Sequence, residues 1–340
     1  MIATMFPSPV RPRPSPHAFR PAFADAGLDD AVVVSATRPM MGGAVGVHLY
    51  PAAAAGVAGS ARQDAERLLG RMEAWAARLT RYSPTSDLVR LNASPWRRVP
   101  VRPTLAEVLD WGREAQGLSD GIVDIALLDA RLAAEGIDPR PTAPARPGAA
   151  ARSWSMDRRA RGSEIRRPVG LTFDLNGVAK GWLADRALLR LKTYPSAIID
   201  ADGDVAIRLE RGRHVRFAVA DPRAPGERLA ELELRGPEIR DVHGFGLATS
   251  GTTVHHWKVD GRPSHHLIDP RTGRPSCTDV VQATVLSNSA REAEAIAKSA
   301  VILGSEATLG RLDRSDVHGA ILLTERGDVL VTPSTVRWLV

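Results

Sequence analysis

The densest group of chemically competent side chains lies in residues 264–275, whose sequence is SHHLIDPRTGRP. The stretch combines imidazoles, a carboxylate, guanidinium groups and a hydroxyl with the turn formers proline and glycine. An imidazole titrates near neutral pH and can accept a proton from a hydroxyl, while carboxylates and guanidinium groups bind and orient polar ligands. Because binding and catalytic groups concentrate on loops that a rigid scaffold holds, we expect a functional site here.

A second candidate is the segment 174–181, whose sequence is DLNGVAKG. Its glycines let the backbone approach a ligand, and a helix is expected to begin within it. Free N–H groups at a helix N-terminus bind anions such as phosphate. The spacings GxxxxGK[ST] and GxGxxG are both absent, so the segment fits either a phosphate site or a plain turn between a strand and a helix.

Residues 200–204 (DADGD) resemble the start of an EF-hand loop. Val205 stands where that loop needs glycine, and Arg211 stands where it needs a bidentate glutamate. A calcium site is therefore not expected. We interpret the segment as an acidic turn between two strands, with Asp204 as a candidate ligand contact.

The histidine pairs at 255–256 and 265–266 lack the i, i+4 spacing of a helical zinc motif. Neighbours in a strand point to opposite faces, so at most one histidine of each pair is expected to serve a site. The segment 247–253 (LATSGTT) places hydroxyls around Gly251, which suits phosphate or ribose but also an ordinary strand end. Ser250 lacks the GxSxG context of a serine hydrolase.

These loops need a scaffold, and the periodicity predicts one that contains both helices and strands. Three helices are predicted from capping boxes, namely Ser60 with Gln63, Thr104 with Glu107, and Ser289 with Glu292. A further helix is predicted over 178–191. Strands are predicted at 32–34, 44–49 (after an interruption at 38–43), 171–173, 197–199, 215–219 and 229–234, with a hairpin at 320–324 and 329–332. Because the strands cluster instead of alternating with helices, we predict an α+β fold with mixed or antiparallel sheets and packed helices.

The 340 residues are 44% hydrophobic and 25% charged, as expected for a soluble globular protein. Residues 1–30 are rich in proline and are predicted to form a disordered tail, and residues 31–340 are predicted to form a single domain. The composition of residues 138–168 shifts to Pro, Ala and Arg. This shift predicts an excursion or linker that can hold a short hairpin. The net charge is +6, and six arginines fall between Arg152 and Arg167. This basic arm suits either a solvated loop or a phosphate- or RNA-binding arm, although Trp154 alone is too little aromatic surface for base stacking.

The composition also excludes several classes of protein. Cys277 is the single cysteine, which excludes a disulfide framework and a cysteine-rich zinc site. No run of about 18 apolar residues is present, so no membrane span is expected. The N-terminus has neither the apolar region of a secretory signal nor an early cysteine for a lipid anchor, and we expect a cytoplasmic protein.

Taken in order along the chain, these motifs resemble those of the FAD:protein FMN transferase (ApbE) family. The resemblance covers roughly residues 37–304. The matching segments are 41–43 (MGG), 81–92 (RYSPTSDLVRLN), 120–124 (DGIVD), 174–181, 200–204, 248–251 (ATSG) and 266–275. Two of them depart from the family pattern, because its M-G-T is Met41-Gly42-Gly43 here and its Gly-Gly-Asp is Asp202-Gly203-Asp204.

The resemblance implies that FAD binds in a cleft and that a threonine hydroxyl of a target flavoprotein attacks the FMN-side phosphorus of its pyrophosphate. AMP then leaves, and FMN remains on the target as a phosphoester. By the same resemblance, His266 would help to activate the hydroxyl, and Asp269 and Thr272 would shape the loop and contact the nucleotide. The residues expected to line the FAD site are Met41, Tyr82, Ile122, Val123, Asp124, Asn176, Trp182 and Ile268, to which their own motifs add Lys180, Ser250 and Gly251.

The family also implies a magnesium ion held by the backbone carbonyl at Ala179 and by an Asp and a Thr four residues apart on a late helix. Here these two positions are Glu294 and Lys298. An ammonium group does not ligate magnesium and repels it at short range. Either Glu294 and Lys298 form an ordinary i, i+4 salt bridge, or Lys298 takes the place of the cation.

Three functions follow from these observations. The first is a flavin transferase that uses FAD and a threonine-bearing acceptor protein. The second is an FAD- or FMN-binding relative that acts as a flavin carrier or sensor, which the altered metal positions favour. The third is a nucleic-acid-binding protein that uses the basic arm at 152–167. The limited aromatic content of this arm does not favour nucleic acid as a partner.

Overall fold

The computed structural model describes residues 33–51, 57–137, 153–159, 162–236, 244–313 and 316–340. The predicted tail at 1–30 and the first part of the predicted excursion lie outside these residues. The helices are α1 (Val57–Leu79), α2 (Asp87–Ala93), α3 (Pro103–Leu118), α4 (Leu128–Ala134), α5 (Ala179–Leu188), α6 (Ala290–Leu303), α7 (Ser305–Leu312) and a C-terminal 3₁₀ helix (Pro333–Trp338).

The strands up to residue 235 are β1 (Val34–Met40), β2 (Gly43–Tyr50), β3 (Arg98–Val101), β4 (Ser155–Arg159), β5 (Gly162–Arg166), β6 (Ser196–Ala201), β7 (Val205–Arg208), β8 (His214–Ala220) and β9 (Arg228–Arg235). The later strands are β10 (Phe245–Gly251), β11 (His256–Val259), β12 (Arg262–His265), β13 (Ile268–Asp269), β14 (Arg274–Pro275), β15 (Val280–Ser287), β16 (Val317–Thr324) and β17 (Val329–Val331).

An eight-stranded sheet forms the centre of the fold, in the order β1-β2-β6-β7-β10-β15-β16-β17. Every pair of neighbouring strands in it is antiparallel. Smaller sheets join β3 with β5 and β4, β8 with β9, β11 with β12, and β13 with β14. The predicted α+β class with antiparallel sheets is confirmed.

Both faces of the central sheet are covered, and strand β6 is buried along its whole length. Successive strand residues point to opposite faces. Ala197 and Ile199 therefore pack in the cluster that includes α1, α3 and α5, while Ile198 packs on the other face against the β8–β9 hairpin. The predicted strands at 197–199, 215–219 and 229–234 and the predicted C-terminal hairpin are confirmed.

Helix α6 begins where its capping box predicts. The Ser289 hydroxyl accepts a hydrogen bond from the Glu292 N–H at 3.4 Å. Asp185 of α5 adds to this cap, because its carboxylate accepts from the N–H groups of Ala290 at 3.0 Å and Arg291 at 3.1 Å. Since N–H groups in the first turn lack partners within the helix, this contact fixes the start of α6 against α5.

The other two capping boxes were wrong about where their helices begin. Helix α1 begins at Val57, so Ser60 lies inside the helix. The spacing of Ser60 and Gln63 resembled a capping box because polar residues three apart also suit an exposed helical face. Helix α3 begins at Pro103, which needs no N–H partner at the first helical position, and not after Thr104.

Two predicted strand boundaries were also wrong. The interruption expected at 38–43 is mostly strand, since β1 continues to Met40 and turns tightly into β2. Residues 171–173 form no strand. Instead, Asn92 of α2 holds Phe173 by two hydrogen bonds of 2.8 Å, one to its carbonyl and one from its N–H, and so replaces a strand partner.

The described part of the predicted excursion contains the short hairpin β4–β5, which extends β3 into a small sheet. Two arginines of the basic arm contact other parts of the fold, Arg158 at the surface and Arg167 in the interior. Arg158 donates to Asp110 at 2.9 Å, and the buried Arg167 donates to the carbonyls of Leu91 at 2.7 Å and Ser94 at 2.8 Å. These contacts favour a structural role for both side chains.

No helix in the described part of the chain is both long enough and apolar enough to cross a membrane.

Candidate functional site

Two tight turns lie side by side at one end of the central sheet. The β1–β2 turn has positive φ at Met41 (56°) and Gly42 (92°), and the β6–β7 turn has positive φ at Asp202 (60°) and Gly203 (91°). Two consecutive residues with positive φ are typical of a type I′ hairpin turn, which matches the twist of the strands. Because β2 pairs with β6, the two turns are neighbours, and Met41 lies exposed beside the acidic turn.

The acidic turn fits against the β1–β2 turn because residue 43 is glycine. A Cβ at this position would overlap the carboxylate of Asp202. Asp200 closes its own turn by accepting from the Gly203 N–H at 2.8 Å. Burial raises the pKa of the Asp200 carboxyl to about 7, and the charges of Asp202 and Asp204 add to this effect.

Lys180 of α5 lies between the carboxylates of the acidic turn. Its Nζ is 3.5 Å from Asp204 Oδ2 and 3.8 Å from Asp202 Oδ2, and it donates to the Asp202 carbonyl at 3.3 Å. Burial opposes the charged form, but the charges of Asp204 and Asp202 outweigh it and raise the pKa of Lys180. Burial also raises the pKa of Asp204 to about 6, against the opposing charge of Lys180. Lys180 therefore neutralises the turn and fixes it to α5.

Segment 174–181 turns into α5 as predicted, with the helix beginning at Ala179. Asp174 accepts from the Asn176 N–H at 3.1 Å, and its own N–H donates to the Ile125 carbonyl at 2.8 Å. Asn176 is exposed. A Cβ on Gly177 would overlap the ammonium group of Lys298, so the absence of a side chain here lets α6 bring a cation against the turn.

Glu294 and Lys298 do not form the salt bridge that their spacing suggests. Glu294 is buried, and its Oε2 accepts from the Gly181 N–H at 2.9 Å. Lys298 has no ion pair within 4.0 Å among the described residues. Burial raises the pKa of Glu294 to about 8, helped by the charge of Asp204, and burial lowers the pKa of Lys298. The interpretation as an ordinary i, i+4 pair was wrong.

The donor set also does not fit the magnesium ion that the resemblance implies. No cluster of three or more His, Cys, Asp or Glu side chains suited to a metal occurs within the described ranges. Of the three positions, Ala179 offers only its backbone carbonyl, the Glu294 carboxylate already accepts from Gly181, and Lys298 brings a positive charge. An ammonium has no lone pair for a metal.

His266 lies on the loop after β12, with its ring packed edge-on to His255 at 5.1 Å between centroids. The backbone N–H of His266 donates to the His255 carbonyl at 3.3 Å. Its Nδ1 is buried and has no hydrogen-bond partner among the described residues. Burial, followed by the charges of His255, Arg131 and Lys298, holds the pKa of His266 well below its usual range. His266 is therefore a neutral imidazole at neutral pH with an available nitrogen.

Asp269 and Thr272 shape the turn that follows. The Asp269 carboxylate accepts from the Arg271 N–H and Nε, each at 2.9 Å, and the Asp269 carbonyl accepts from the Gly273 N–H at 2.8 Å. The Thr272 hydroxyl accepts from the Arg274 N–H at 3.2 Å. These bonds account for the part of the prediction that concerns loop shape. The nucleotide contacts of Asp269 and Thr272 stay a prediction.

The remaining predicted FAD contacts fall into two groups. Tyr82 is half exposed and lies beneath the Arg81 guanidinium, which is 4.5 Å from its ring centroid. Asp124 accepts from the Ala126 N–H at 2.8 Å and so shapes its own loop. The other group is buried or half-buried in the fold: Ile122, Val123, Trp182, Ile268, Ser250 and Gly251. Within this group, Trp182 packs against Trp75 in the main core at 6.1 Å between ring centroids.

Sequence reasoning missed Arg131 of α4. This side chain is buried, stacks on Trp257 at 4.7 Å and pairs with Glu135 at 3.0 Å, yet its Nη1 has no hydrogen-bond partner among the described residues. Its charge lowers the pKa of both His266 and Lys298, which places it near the candidate site. No motif surrounds Arg131, so the sequence gives no signal that would have indicated it.

The arrangement defines a class of protein: an α+β protein in which buried cationic side chains and a neutral imidazole lie near the start of a helix and two hairpin turns. Its fold is that of an ApbE protein of Thermotoga maritima, with a TM-score of 0.73 at 20% identity over 90% of this chain and 99% of that chain.

The family follows from the sequence comparisons. The model of the ApbE family matches residues 41–322, so the chain belongs to the ApbE family. A FAD:protein FMN transferase of Treponema pallidum is 33% identical over 151 residues, which is 41% of this chain and 40% of that relative. A FAD:protein FMN transferase of Salmonella typhimurium is 27% identical over 246 residues, 67% of each chain. These relatives place the chain among transferases.

Proposed function

We propose that this protein is a FAD:protein FMN transferase that moves FMN from FAD to a threonine hydroxyl of an acceptor flavoprotein and releases AMP. The observation that carries the proposal is His266, a half-buried neutral imidazole. Its Nδ1 is buried without a partner among the described residues, and the charges of Arg131 and Lys298 act on the ring. A base surrounded by cations suits the removal of a proton from a hydroxyl beside a pyrophosphate.

In the proposed reaction, the threonine oxygen forms a bond to the FMN-side phosphorus while the bond from that phosphorus to the bridging oxygen breaks. The bridging oxygen leaves on AMP with the electron pair of the broken bond. The proton of the threonine hydroxyl passes to Nδ1 of His266. Such a transfer needs mainly positioning and charge stabilisation, which the cationic side chains at the α5–α6 junction supply.

FAD is the substrate in this proposal. The exposed Met41, Tyr82 and Asn176 are free to contact it at the rim of the cleft, while the Asp269–Thr272 turn positions the loop that carries His266.

The test compares the wild type with His266→Gln, which keeps a polar side chain of similar size. AMP release and flavin fluorescence on the acceptor are measured together. Wild type should release AMP in step with labelling, and the variant should be slower by about 100-fold or more while it still binds FAD, since this is the usual contribution of general acid–base catalysis. Equal rates for the two proteins would remove His266 from the chemistry.

The pH dependence gives a second readout of the same residue. Transfer needs the neutral imidazole, so the rate rises with pH through the pKa of His266 and is constant above it. Because burial holds that pKa well below its usual value, the rate should not fall as pH is lowered from neutrality to the ordinary histidine range near 6.5. A decline centred on the ordinary value would contradict this assignment.

A second candidate, an FAD-binding carrier or sensor, is favoured by one observation, the lysine at a position where the family uses a metal ligand. The same assay separates the two functions, because a carrier binds FAD but releases no AMP when the acceptor is added.

A further inference from the structure

We propose that the ammonium group of Lys298 is a built-in replacement for a divalent cation, so that this protein binds the pyrophosphate of FAD without metal. This inference rests on the proposed function and goes beyond it, because it assigns a charge-neutralising role to this chain's own residue.

The position of Lys298 is the first support. Its ammonium group occupies the space that a side chain on Gly177 would fill, directly against the turn that leads into α5. Backbone N–H groups at such a turn favour a negative charge. A cation held there by the neighbouring helix adds to the same anion-binding surface.

The second support is that Lys298 forms no contact ion pair. The charges of Asp174, Glu294 and Asp204 act on its ammonium group from beyond 4.0 Å. Among the described residues, no carboxylate lies within 4.0 Å of its Nζ, because Glu294 is turned to the Gly181 N–H. Lys180 is the contrasting case, since Asp204 and Asp202 lie 3.5 and 3.8 Å from its Nζ. Of the two lysines at the site, Lys180 is committed to the fold and Lys298 is available to a ligand.

Residue usage in the chain gives a third support. Only four of the 45 Lys and Arg residues are lysines, and Lys192 and Lys258 are exposed on the surface. The other two lie at the candidate site. An ammonium is a compact point charge, whereas a guanidinium is a planar fork, so lysine is the better substitute for a small spherical cation.

A second positive charge is close enough to assist. The buried Arg131 acts electrostatically on both Lys298 and His266, and its Nη1 has no hydrogen-bond partner among the described residues. A pyrophosphate diester carries two negative charges. Glu135 pairs with both Arg81 and Arg131, so these three side chains keep one net positive charge. That charge and the charge of Lys298 together match the pyrophosphate, as a divalent ion would.

The experiment measures FAD binding by quenching of flavin fluorescence after the protein has been freed of metal with EDTA, with and without added Mg²⁺. We expect the affinity of the wild type to change by less than about twofold on adding Mg²⁺. The double variant E294D/K298T restores the family's carboxylate and hydroxyl. It should bind FAD weakly in EDTA and recover by about tenfold or more when Mg²⁺ is added.

Two controls make the result specific. Lys192→Thr removes an exposed lysine and should behave as the wild type in both buffers. Lys298→Met removes the charge without supplying a metal ligand, so its affinity should fall in EDTA and should not recover with Mg²⁺. Thermal unfolding of each variant shows that it is folded.

The outcomes separate the inference from the function on which it rests. Wild-type protein that binds FAD only with Mg²⁺ overturns the cation replacement and leaves the proposed function intact. Wild-type protein that binds FAD in neither buffer overturns both. FAD binding by the wild type that is equal in EDTA and in Mg²⁺, together with a metal-dependent double variant, supports the replacement.

Discussion

At the scale of single residues, two departures from the family pattern depend on each other. The family's M-G-T ends in Gly43 here, and its Gly-Gly-Asp begins with Asp202. A Cβ at position 43 would overlap the Asp202 carboxylate, so the loss of one side chain makes room for the other. The acidic turn keeps its geometry because Asp202 adopts a positive φ of 60° and lies near Lys180.

This dependence predicts a non-additive pair of substitutions. Gly43→Thr alone should lower the free energy of unfolding by about 2 kcal/mol because it overpacks the turn. In the double variant G43T/D202G that cost should largely disappear, which gives a coupling energy of about 1–2 kcal/mol in a double-mutant cycle. Urea unfolding measures all four proteins. A double variant whose loss equals the sum of the two single losses would contradict the packing argument.

The raised pKa of Asp200 predicts that the free energy of unfolding depends on pH. Its pKa is raised from 3.8 to about 7 in the folded protein, so the folded state holds a proton that the unfolded chain releases. The stabilising effect of that proton is complete below the unfolded pKa and is lost as pH rises through 7.

Asp200→Asn removes this titration and keeps the oxygen that accepts from Gly203. The wild type should lose on the order of 2 kcal/mol more stability than Asp200→Asn between about pH 5 and about pH 8. Urea unfolding at the two pH values checks the difference, and parallel pH profiles would contradict it.

Lys298 shows the limit of sequence reasoning at this scale. Its place one turn after Glu294 predicts a salt bridge, but burial and the free Gly181 N–H draw the carboxylate away. Spacing gives the face of a helix on which two side chains lie, and the partner on the next helix decides which contact forms.

At the scale of elements, α5 and the turn before it contact α6 at every fourth residue. Gly177 faces Lys298, Gly181 donates to Glu294, and Asp185 caps the start of α6 at Ala290. The interval is close to one helical turn, so the two antiparallel helices stay in contact along their length. At Gly181 the backbone of α6 itself is close, because a Cβ there would lie 2.6 Å from the Arg291 Cα and 2.7 Å from the Ala290 carbonyl oxygen.

Gly181→Ala should therefore separate α5 from α6, lower the free energy of unfolding by about 1–3 kcal/mol and weaken FAD binding. Gly310→Ala is the matched control in α7, where a Cβ meets no atom within 4 Å. That substitution should raise stability by about 0.5–1 kcal/mol, since alanine favours a helix over glycine. Chemical denaturation and FAD titration of both variants test whether the close packing of α5 on α6 matters. Equal effects of the two substitutions would argue against it.

Most elements could be predicted from the sequence, and the failures have local causes. The Ser289 capping box correctly predicted where α6 begins. Helices α3 and α1 begin at Pro103 and Val57, ahead of the predicted caps. A proline can start a helix without a capping side chain, and two polar residues on an exposed helical face have the same spacing as a capping box. The segment 171–173 looks like a strand because it consists of Leu, Thr and Phe, but the hydrogen-bond partner of Phe173 is the Asn92 side chain.

At the scale of the whole molecule, the site joins segments that are far apart in the chain. The pairing of β2 with β6 places the two hairpin turns together, and the stacking of α6 on α5 brings residues after 290 to the turn at 174–181. Composition and periodicity could not supply this strand order, because antiparallel pairing is decided by long-range packing. The order of motifs could supply the family, and the family model confirms it.

The central claim is that the chain transfers FMN to a protein. It is tested most directly by the intact mass of a threonine-bearing acceptor domain after incubation with FAD and this protein in EDTA. We predict that the acceptor gains the mass of one FMN unit, that AMP appears in equal amount, and that an acceptor with Thr→Val at the modified site gains none. FAD bound to this protein with no change in the mass of the acceptor, in EDTA or in Mg²⁺, would contradict the transferase account.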